Sequence, residues 1–531
     1  MKHLRKLLCM ILAVMMMSTV LSAMVFAEEK NIIDSGYCGA EGDGSNLKWT
    51  LTSDGTLTIS GTGAMADYYF CGPWNEYADR AKTLVIEAGI TSIGSYAFSR
   101  CSGFTGSLVI PDSVTSIGDY AFGECNGFTG NLVIPDSVKL ISCGAFLGCS
   151  GFTGNLVIPN GITAIDWEVF NDCSGFTGDL VIPNNIKSIG RHAFSGCSGF
   201  TGSLIIPNSV MSIGDSSFSG CSGFTGTLVI PDSVISIGSY AFQYCNGFVG
   251  DLIIPDSVVS IGSYAFSGCD RFMGTLKIGS KVKSIGTGAF MGCNGFTGNL
   301  IVPDSVISMG SFAFCNCHNF SGKLHISNNV KDIGEYTFQN CHGIKGDIII
   351  PDGVTSIGGG AFIGCENLSK NVAIPDSVKT IGDSAFGYYN FNGKLQLGSG
   401  ITSIGRGSFS CFKRIYFKGN APAVYPASHV SNSFDTDASL YYIEGKSGWT
   451  SPTWNGYNTA TWSGNEDRIL GDINDDGVVD IRDAIRLAKY LAKMSVEANL
   501  TNADVNGDGK VDVRDLIRLK KYLAKMPVEL I

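Results

Sequence analysis

One residue pattern returns every 24 positions through most of this chain, and it leaves few folds open. The residue that opens each unit is Leu84, Leu108, Leu132, Leu156, Leu180, Leu204, Leu228, Leu252, Leu276, Leu300, Leu324, Ile348 and Val372, without a slip. A shortened unit starts at Leu395 and a degenerate one near Ile415. A fixed period of this length predicts a solenoid, in which no unit hides its own apolar side and each stacks on the next.

The unit that begins at Leu132 shows how one coil is built. Leu132 to Ile134 reads as a short strand. Pro135 ends it, because proline has no N–H to extend the ladder. Asp136-Ser137 forms a turn, Val138 and Ile141 point inward, Ala145-Phe146 packs on the far wall, and Cys149 closes the coil. Gly151-Phe152-Thr153-Gly154 then leads into the next strand. Stacking predicts two phenylalanine ladders, Phe98 to Phe409 and Phe104 to Phe320, which account for most of the 31 phenylalanines. It also predicts a column of cysteines at Cys101, Cys125, Cys149 and onward to Cys365. Neighbours in such a column point the same way, which is poor disulfide geometry, so they read as reduced, buried thiols. The Asp residues after Pro, among them Asp136, Asp256, Asp304 and Asp376, fall in identical turns and read as turn caps rather than a catalytic pair.

The recurring Ile-Pro, Ile-Gly, Ala-Phe and Cys of each unit resemble the BspA-like, or treponemal-type, leucine-rich repeats. The resemblance implies an α/β-type leucine-rich-repeat solenoid with a parallel sheet on one face, over about residues 81–414. It also implies a cell-surface or secreted protein that binds other proteins. The middle residue of each strand should face outward. It is Val109, Val133, Val157, Val181, Ile205, Val229, Ile253 and Ile301 in most coils, interrupted by Lys277 and His325. That stripe is a candidate face for a protein or glycan ligand. Ordinary strand propensity explains the same residues.

The flanks read differently. Lys2 to Lys6, an apolar run from Leu7 to Val20 and Val25-Phe26-Ala27 form a secretory signal over 1–27. Residues 28–80 contain LKWTLTSDGTLTISGTG, a β-hairpin that would cap the first coil. Cys38 and Cys71 lie there and are candidates to pair. Residues 415–462 carry Tyr441, Tyr442, Trp449, Trp454, Tyr457 and Trp462, which either cap the last coil or stack on sugars. Residues 463–470 form a polar linker.

From 471 to 531 an acidic loop and an amphipathic helix occur twice. Asp472, Asn474, Asp476, Asp480 and Asp483 fall at positions 1, 3, 5, 9 and 12 of a calcium loop, with Gly477 at the sixth. Asp504, Asn506, Asp508, Asp512 and Asp515 repeat the pattern around Gly509, and the carbonyls of Val478 and Lys510 complete each set. Aspartate rather than glutamate ends each loop, and one helix follows each. In these features the segment resembles a type I dockerin, a small all-α module that binds two calcium ions and docks to a cohesin of a scaffoldin. The resemblance implies cohesin contacts at Ile481, Arg482, Lys489 and Lys493, and at Val513, Arg514, Lys521 and Lys525.

Charged residues make up 16% of the chain and its net charge is −10, which argues against nucleic acid and anionic membranes as partners. No apolar run past the signal is long enough to span a bilayer. Cys315, Cys317, His318, His325, Cys341 and His342 crowd two coils without the spacing of a zinc site. Catalytic signatures are missing too. The chain therefore reads as a secreted, non-catalytic binding subunit of a cellulosome-type assembly. The rivals are a hydrolase subunit of that assembly acting in polysaccharide breakdown, and a structural spacer.

Overall fold

The computed structural model describes residues 31–387, 394–429, 432–462, 471–474, 479–496, 498–506, 508–526 and 530. The expected export signal at 1–27 and linker at 463–470 lie outside the described residues. The chain forms two units, Met1–Asn185 with Gly196–Gly199, and Ile186–Ser195 with Phe200–Ile531. Both are built of stacked coils, the solenoid that the period predicts.

In the first unit, strands Leu47–Thr52 and Thr56–Gly61 form the expected antiparallel hairpin. Gly55, at φ +82°, makes its turn, a backbone region open mainly to glycine. A further strand, Ile32–Tyr37, pairs on the outer side. Its sequence, IIDSGY, lacks the alternation that marks a strand. Thr56–Gly61 then pairs in parallel with Thr83–Ile86, so the hairpin hands its ladder to the coils. Trp74 is buried and stacks on Phe98 at 5.0 Å, closing the end of the phenylalanine ladder. Cys38 and Cys71 are not bonded to each other. Cys38 follows the outer strand, its N–H on Leu47 O, while the Cys71 sulfur faces Cys101 instead.

Most coils contribute two short strands, where the sequence pattern marks one. The expected strand appears at Leu132–Val133 paired with Leu156–Val157, and at Leu204–Ile205 paired with Leu228–Val229. The second lies at Ser-Ile. In the second unit it runs in register through Ser188–Ile189, Ser212–Ile213, Ser236–Ile237, Ser260–Ile261, Ser284–Ile285 and Ser308–Met309. This sheet is the more continuous because its residues all carry N–H groups, whereas proline interrupts the Leu-Val-Ile ladder after two residues.

The phenylalanines stack as expected. Phe122 lies 5.3 Å from Phe98 and from Phe146, and Phe242 lies 5.4 Å from Phe218 and 5.2 Å from Phe266. Glycine at the Gly-Phe-Thr-Gly corner is a matter of space. A Cβ on Gly247 would overlap the carbonyl oxygen of Phe224.

The cysteine column has a hydrogen-bonding role. Each thiol from Cys125 to Cys365 donates to the carbonyl of the aromatic residue 27 positions earlier, at 2.9–3.2 Å. Burial pushes the thiols of Cys149 and Cys365 up to about 12. Phe218 O accepts both the Cys221 N–H at 3.1 Å and the Cys245 thiol at 3.0 Å. Cys245→Ala removes the second bond and leaves the first, so a loss of about 1 kcal/mol is expected in urea unfolding. An unchanged midpoint would show that the column merely fills space.

At the far end of the second unit, strands Leu368–Ile374, Lys394–Leu397, Arg414–Phe417, Ser439–Ile443 and Tyr457–Trp462 extend the parallel sheet. Thr453–Trp454 closes its edge antiparallel. The aromatic residues here pack on one another. Tyr442 stacks on Trp449 at 5.1 Å, Trp449 lies 4.5 Å from Trp454, and buried Tyr457 donates its hydroxyl to Tyr425 O. This packing favours the capping reading over a sugar platform.

Beyond the sheet come helix α1 (Ile481–Leu491), the short α2 (Leu500–Ala503) and α3 (Val513–Leu523). Ile473, Ala484, Leu487, Ala503, Val505 and Leu519 form their core. The apolar residues of both copies thus close on one small centre.

Candidate metal centre and docking surface

The two acidic loops are built alike. Asp480 and Asp512 are the N-caps of α1 and α3, accepting the N–H of Arg482 at 2.7 Å and of Arg514 at 2.8 Å. Three residues on, Asp483 and Asp515 return the bond, each accepting the N–H of its cap at 2.8 Å. This reciprocal pair satisfies helix-end donors that would otherwise lack partners.

Asp483 and Asp515 do more than cap. Both are fully buried. The second oxygen of Asp483 accepts the N–H groups of Ile473 and Asn474 at the far end of its loop. That of Asp515 accepts from Asn506. A single carboxylate thereby closes each loop. Asp472 and Asp504, at the loop starts, are also buried, and Asp504 accepts from Gly509 at 2.9 Å. Gly509 stands at φ +80°. Asn506 and Asp508 accept from the backbone N–H two residues on, at Asp508 and Lys510. Asp476 and Val478 lie outside the described residues.

These donors are oxygens only, several of them buried carboxylates, which is the chemistry a hard cation such as calcium selects. Among the described residues, no three His, Cys, Asp or Glu side chains converge on one point. Asp480, Asp483, Asp512 and Asp515 are turned toward backbone N–H groups and arginine instead.

Two expected docking residues are also internal partners. The guanidinium of Arg482 holds Asp480, with its Nε 2.9 Å from Oδ2, and that of Arg514 bridges Asp512 and Asp508. These bonds hold the carboxyls of Asp480 and Asp512 below the usual range. Ile481, Lys489, Lys493, Val513, Lys521 and Lys525 are exposed, as a docking surface requires. Lys493 and Lys525 end their helices at positive φ. The structure adds Ile485, Met494, Ile517 and Met526, which sequence reasoning missed and which are exposed in matching places in both copies. Their signal was the i, i+4 spacing of Ile481 with Ile485 and of Val513 with Ile517.

Comparison with known families follows the same division. The family described as BspA type Leucine rich repeat region (6 copies) matches over residues 76–201, 176–297, 249–369 and 346–421. The chain belongs to the BspA-type leucine-rich-repeat family. A Dockerin type I domain matches residues 470–524. Type I dockerins bind calcium, and a dockerin implies a cohesin partner. Both matched families are non-catalytic domain types. Similar solved structures include a leucine-rich repeat protein from Bacteroides ovatus ATCC 8483, 20% identical, covering 75% of this chain and 98% of that one, with a TM-score of 0.46. Another, from Eubacterium ventriosum ATCC 27560, is 22% identical, covering 80% and 99%, with a TM-score of 0.39. A leucine rich cell surface protein from Faecalibacterium prausnitzii A2-165 is 27% identical, covering 66% and 92%, with a TM-score of 0.36. No curated protein matches the chain. Among the described residues, no helix is long and apolar enough to cross a membrane.

On the BspA-type repeats, the outward strand residues stand where the pleat predicts. Val109, Val133, Val157 and Val181 in the first unit, and Ile205, Val229, Ile253 and Ile301 in the second, are 45 to 68% exposed. Toward the end of the second unit this column changes character. The register runs Ile349, Ala373, Gln396, Tyr416, so a small residue and a buried amide replace the aliphatic side chains. An open groove of about 820 Å³ results, lined by Ile349, Asp352, Asp376, Lys394, Gln396 and Lys418 among others. Within the described residues Gln396 Nε2 has no hydrogen-bond partner. Sequence reasoning missed the groove because the repeat decays there.

The other candidate constellations resolve into structure. Cys317 and Cys341 donate to phenylalanine carbonyls, Cys315 faces Gln339, and His325 lies 3.3 Å from Asp304. His318 and His342 stack with ring centroids 5.2 Å apart. Four of the Asp residues after Pro cap the turn of the following coil rather than their own. Asp136 accepts from Asn160 N, Asp256 from Ser280 N, Asp304 from Asn328 N and Asp376 from Ser399 N.

Proposed function

We propose that this chain is an exported, non-catalytic binding subunit that a calcium-loaded dockerin tethers to a scaffoldin cohesin. The reading divides the chain into an export signal (1–27), an N-terminal cap (28–80), the repeats (81–414), a C-terminal cap (415–462), a linker (463–470) and the dockerin (471–531). The observation that carries it is the twofold repetition of one hydrogen-bonded loop, closed by buried Asp483 and Asp515 and flanked by matching exposed apolar residues. Two calcium ions are held by Asp472, Asn474, Asp476, Val478, Asp480 and Asp483, and by Asp504, Asn506, Asp508, Lys510, Asp512 and Asp515. Ile481, Arg482, Lys489 and Lys493, or their counterparts Val513, Arg514, Lys521 and Lys525, meet the cohesin. Two similar halves supply two orientations of docking.

The solenoid carries the cargo, a protein or glycan seated along the outward strand face and the groove near Gln396. The exposed aliphatic column supports this reading, because apolar surface of that kind marks interaction sites. The test is capture of the full chain on an immobilised type I cohesin. Binding is expected in calcium and lost in chelator, restored when calcium returns. Capture that ignores the chelator would overturn the reading.

A further inference from the structure

We propose that Cys71 and Cys101 are the chain's reactive thiol pair, closing an intramolecular disulfide when they meet a low-molecular-weight disulfide such as oxidised glutathione. The column explains why this pair differs from the rest. From Cys125 to Cys365 each thiol of the column is committed to a carbonyl 27 residues back and is almost wholly buried. Cys101 opens the column, and 27 positions before it stands Trp74 of the cap. Its sulfur instead lies 3.6 Å from that of Cys71. Cys71 reaches the surface, next to Tyr69 and Phe70, which are 91 and 80% exposed. Its backbone is pinned, since Gly72 donates to Ala97 O at 2.9 Å and leaves no room for a Cβ beside Trp74.

The electrostatics agree with the geometry. The Cys101 thiol and the N–H of Gly72 hold Cys71 below the ordinary thiol range against its partial burial. Cys101 is pushed up, first by its hydrogen bond to Cys71 and then by burial. A lowered thiol at the surface is the attacking group, and a raised one behind it is the resolving group.

The exchange has two steps. The Cys71 thiolate attacks one sulfur of the oxidant, forming a mixed disulfide and releasing one thiolate. Cys101 gives its proton to that leaving thiolate and attacks the Cys71 sulfur, expelling the second. Two protein thiols are oxidised and one disulfide is reduced to two thiols. The new bond joins residues 30 apart and ties the cap to the first coil beneath the Trp74–Phe98 stack.

The test treats the native full chain with oxidised glutathione and maps peptides without reduction. The expected first product links Cys71 to Cys101, while the column thiols stay free. In Cys101→Ala, Cys71 is expected to accumulate bound glutathione, because nothing resolves it. In Cys71→Ser, Cys101 is expected to stay unmodified, being buried. The oxidised protein should also show a higher midpoint for the thermal change in tryptophan emission, reversed by dithiothreitol. Glutathione on Cys143 or Cys411 with Cys71 untouched, or no link in native protein while the denatured chain reacts, would overturn the assignment.

Discussion

Asp483→Asn combined with Asp515→Asn is expected to abolish calcium uptake and cohesin capture and to leave the repeats folded. Each substitution keeps the size of the side chain. Each also removes a negative charge and places an NH₂ donor where the loop presents backbone N–H donors. Asp483 accepts three such N–H groups and Asp515 accepts from Asn506 and Asp512, both in full burial. A buried donor that meets a donor costs about 1–3 kcal/mol, and in a module this small that is a large share of the whole stability. Calcium affinity falls further, because it follows the number of charged ligands. Ion binding and folding are coupled in such modules. Calorimetry should therefore show no calcium heat, and far-ultraviolet dichroism should lose the helical signal of α1 and α3 while the β signal stays. Wild-type calcium binding in the double variant would mean that these carboxylates only cap helices.

Phe242→Ala is expected to destabilise the solenoid by about 3–5 kcal/mol, the usual range for removing a fully buried aromatic side chain. The ring has no exposure and stacks on Phe218 above and Phe266 below. Its removal takes contacts from three coils at once. In a stack held by nearest-neighbour contacts, weakening one interface exposes both sides to local opening. Hydrogen exchange should therefore speed up in the coils around residue 242 before the caps. Ile253→Ala is the control, since its side chain is 53% exposed and the loss should stay within about 0.5 kcal/mol. Equal effects from the two variants would mean that the ladder adds nothing beyond strand content.

Much of the fold was legible because the repeat is local. Leu132, Val138, Ile141, Phe146 and Cys149 are all buried, as their recurrence predicts, and Val133 between them is exposed. The hairpin of Leu47–Thr52 and Thr56–Gly61 was legible for the same reason, from alternation around a glycine turn. The second strand of each coil was not. Ser-Ile is too short to show a period, and only the neighbouring coil makes it a strand. The Gln396 groove escaped because it lies where the repeat fails. The loops were readable as oxygen donors at fixed spacing. The sequence did not tell that Arg482 and Arg514 are bound to their own N-caps.

By itself, then, the sequence determined which side chains face inward, how far apart the coils repeat, and that two acidic loops follow them. Those are properties of one residue and its near neighbours. The tertiary structure decided the partners: Cys245 with Phe218, Asp304 with Asn328, and Cys71 with Cys101 rather than Cys38. Such pairs lie 24 to 30 residues apart. Hydrogen bonds and sulfur contacts act over about 3–4 Å, so stacking must first set the register before those groups can meet.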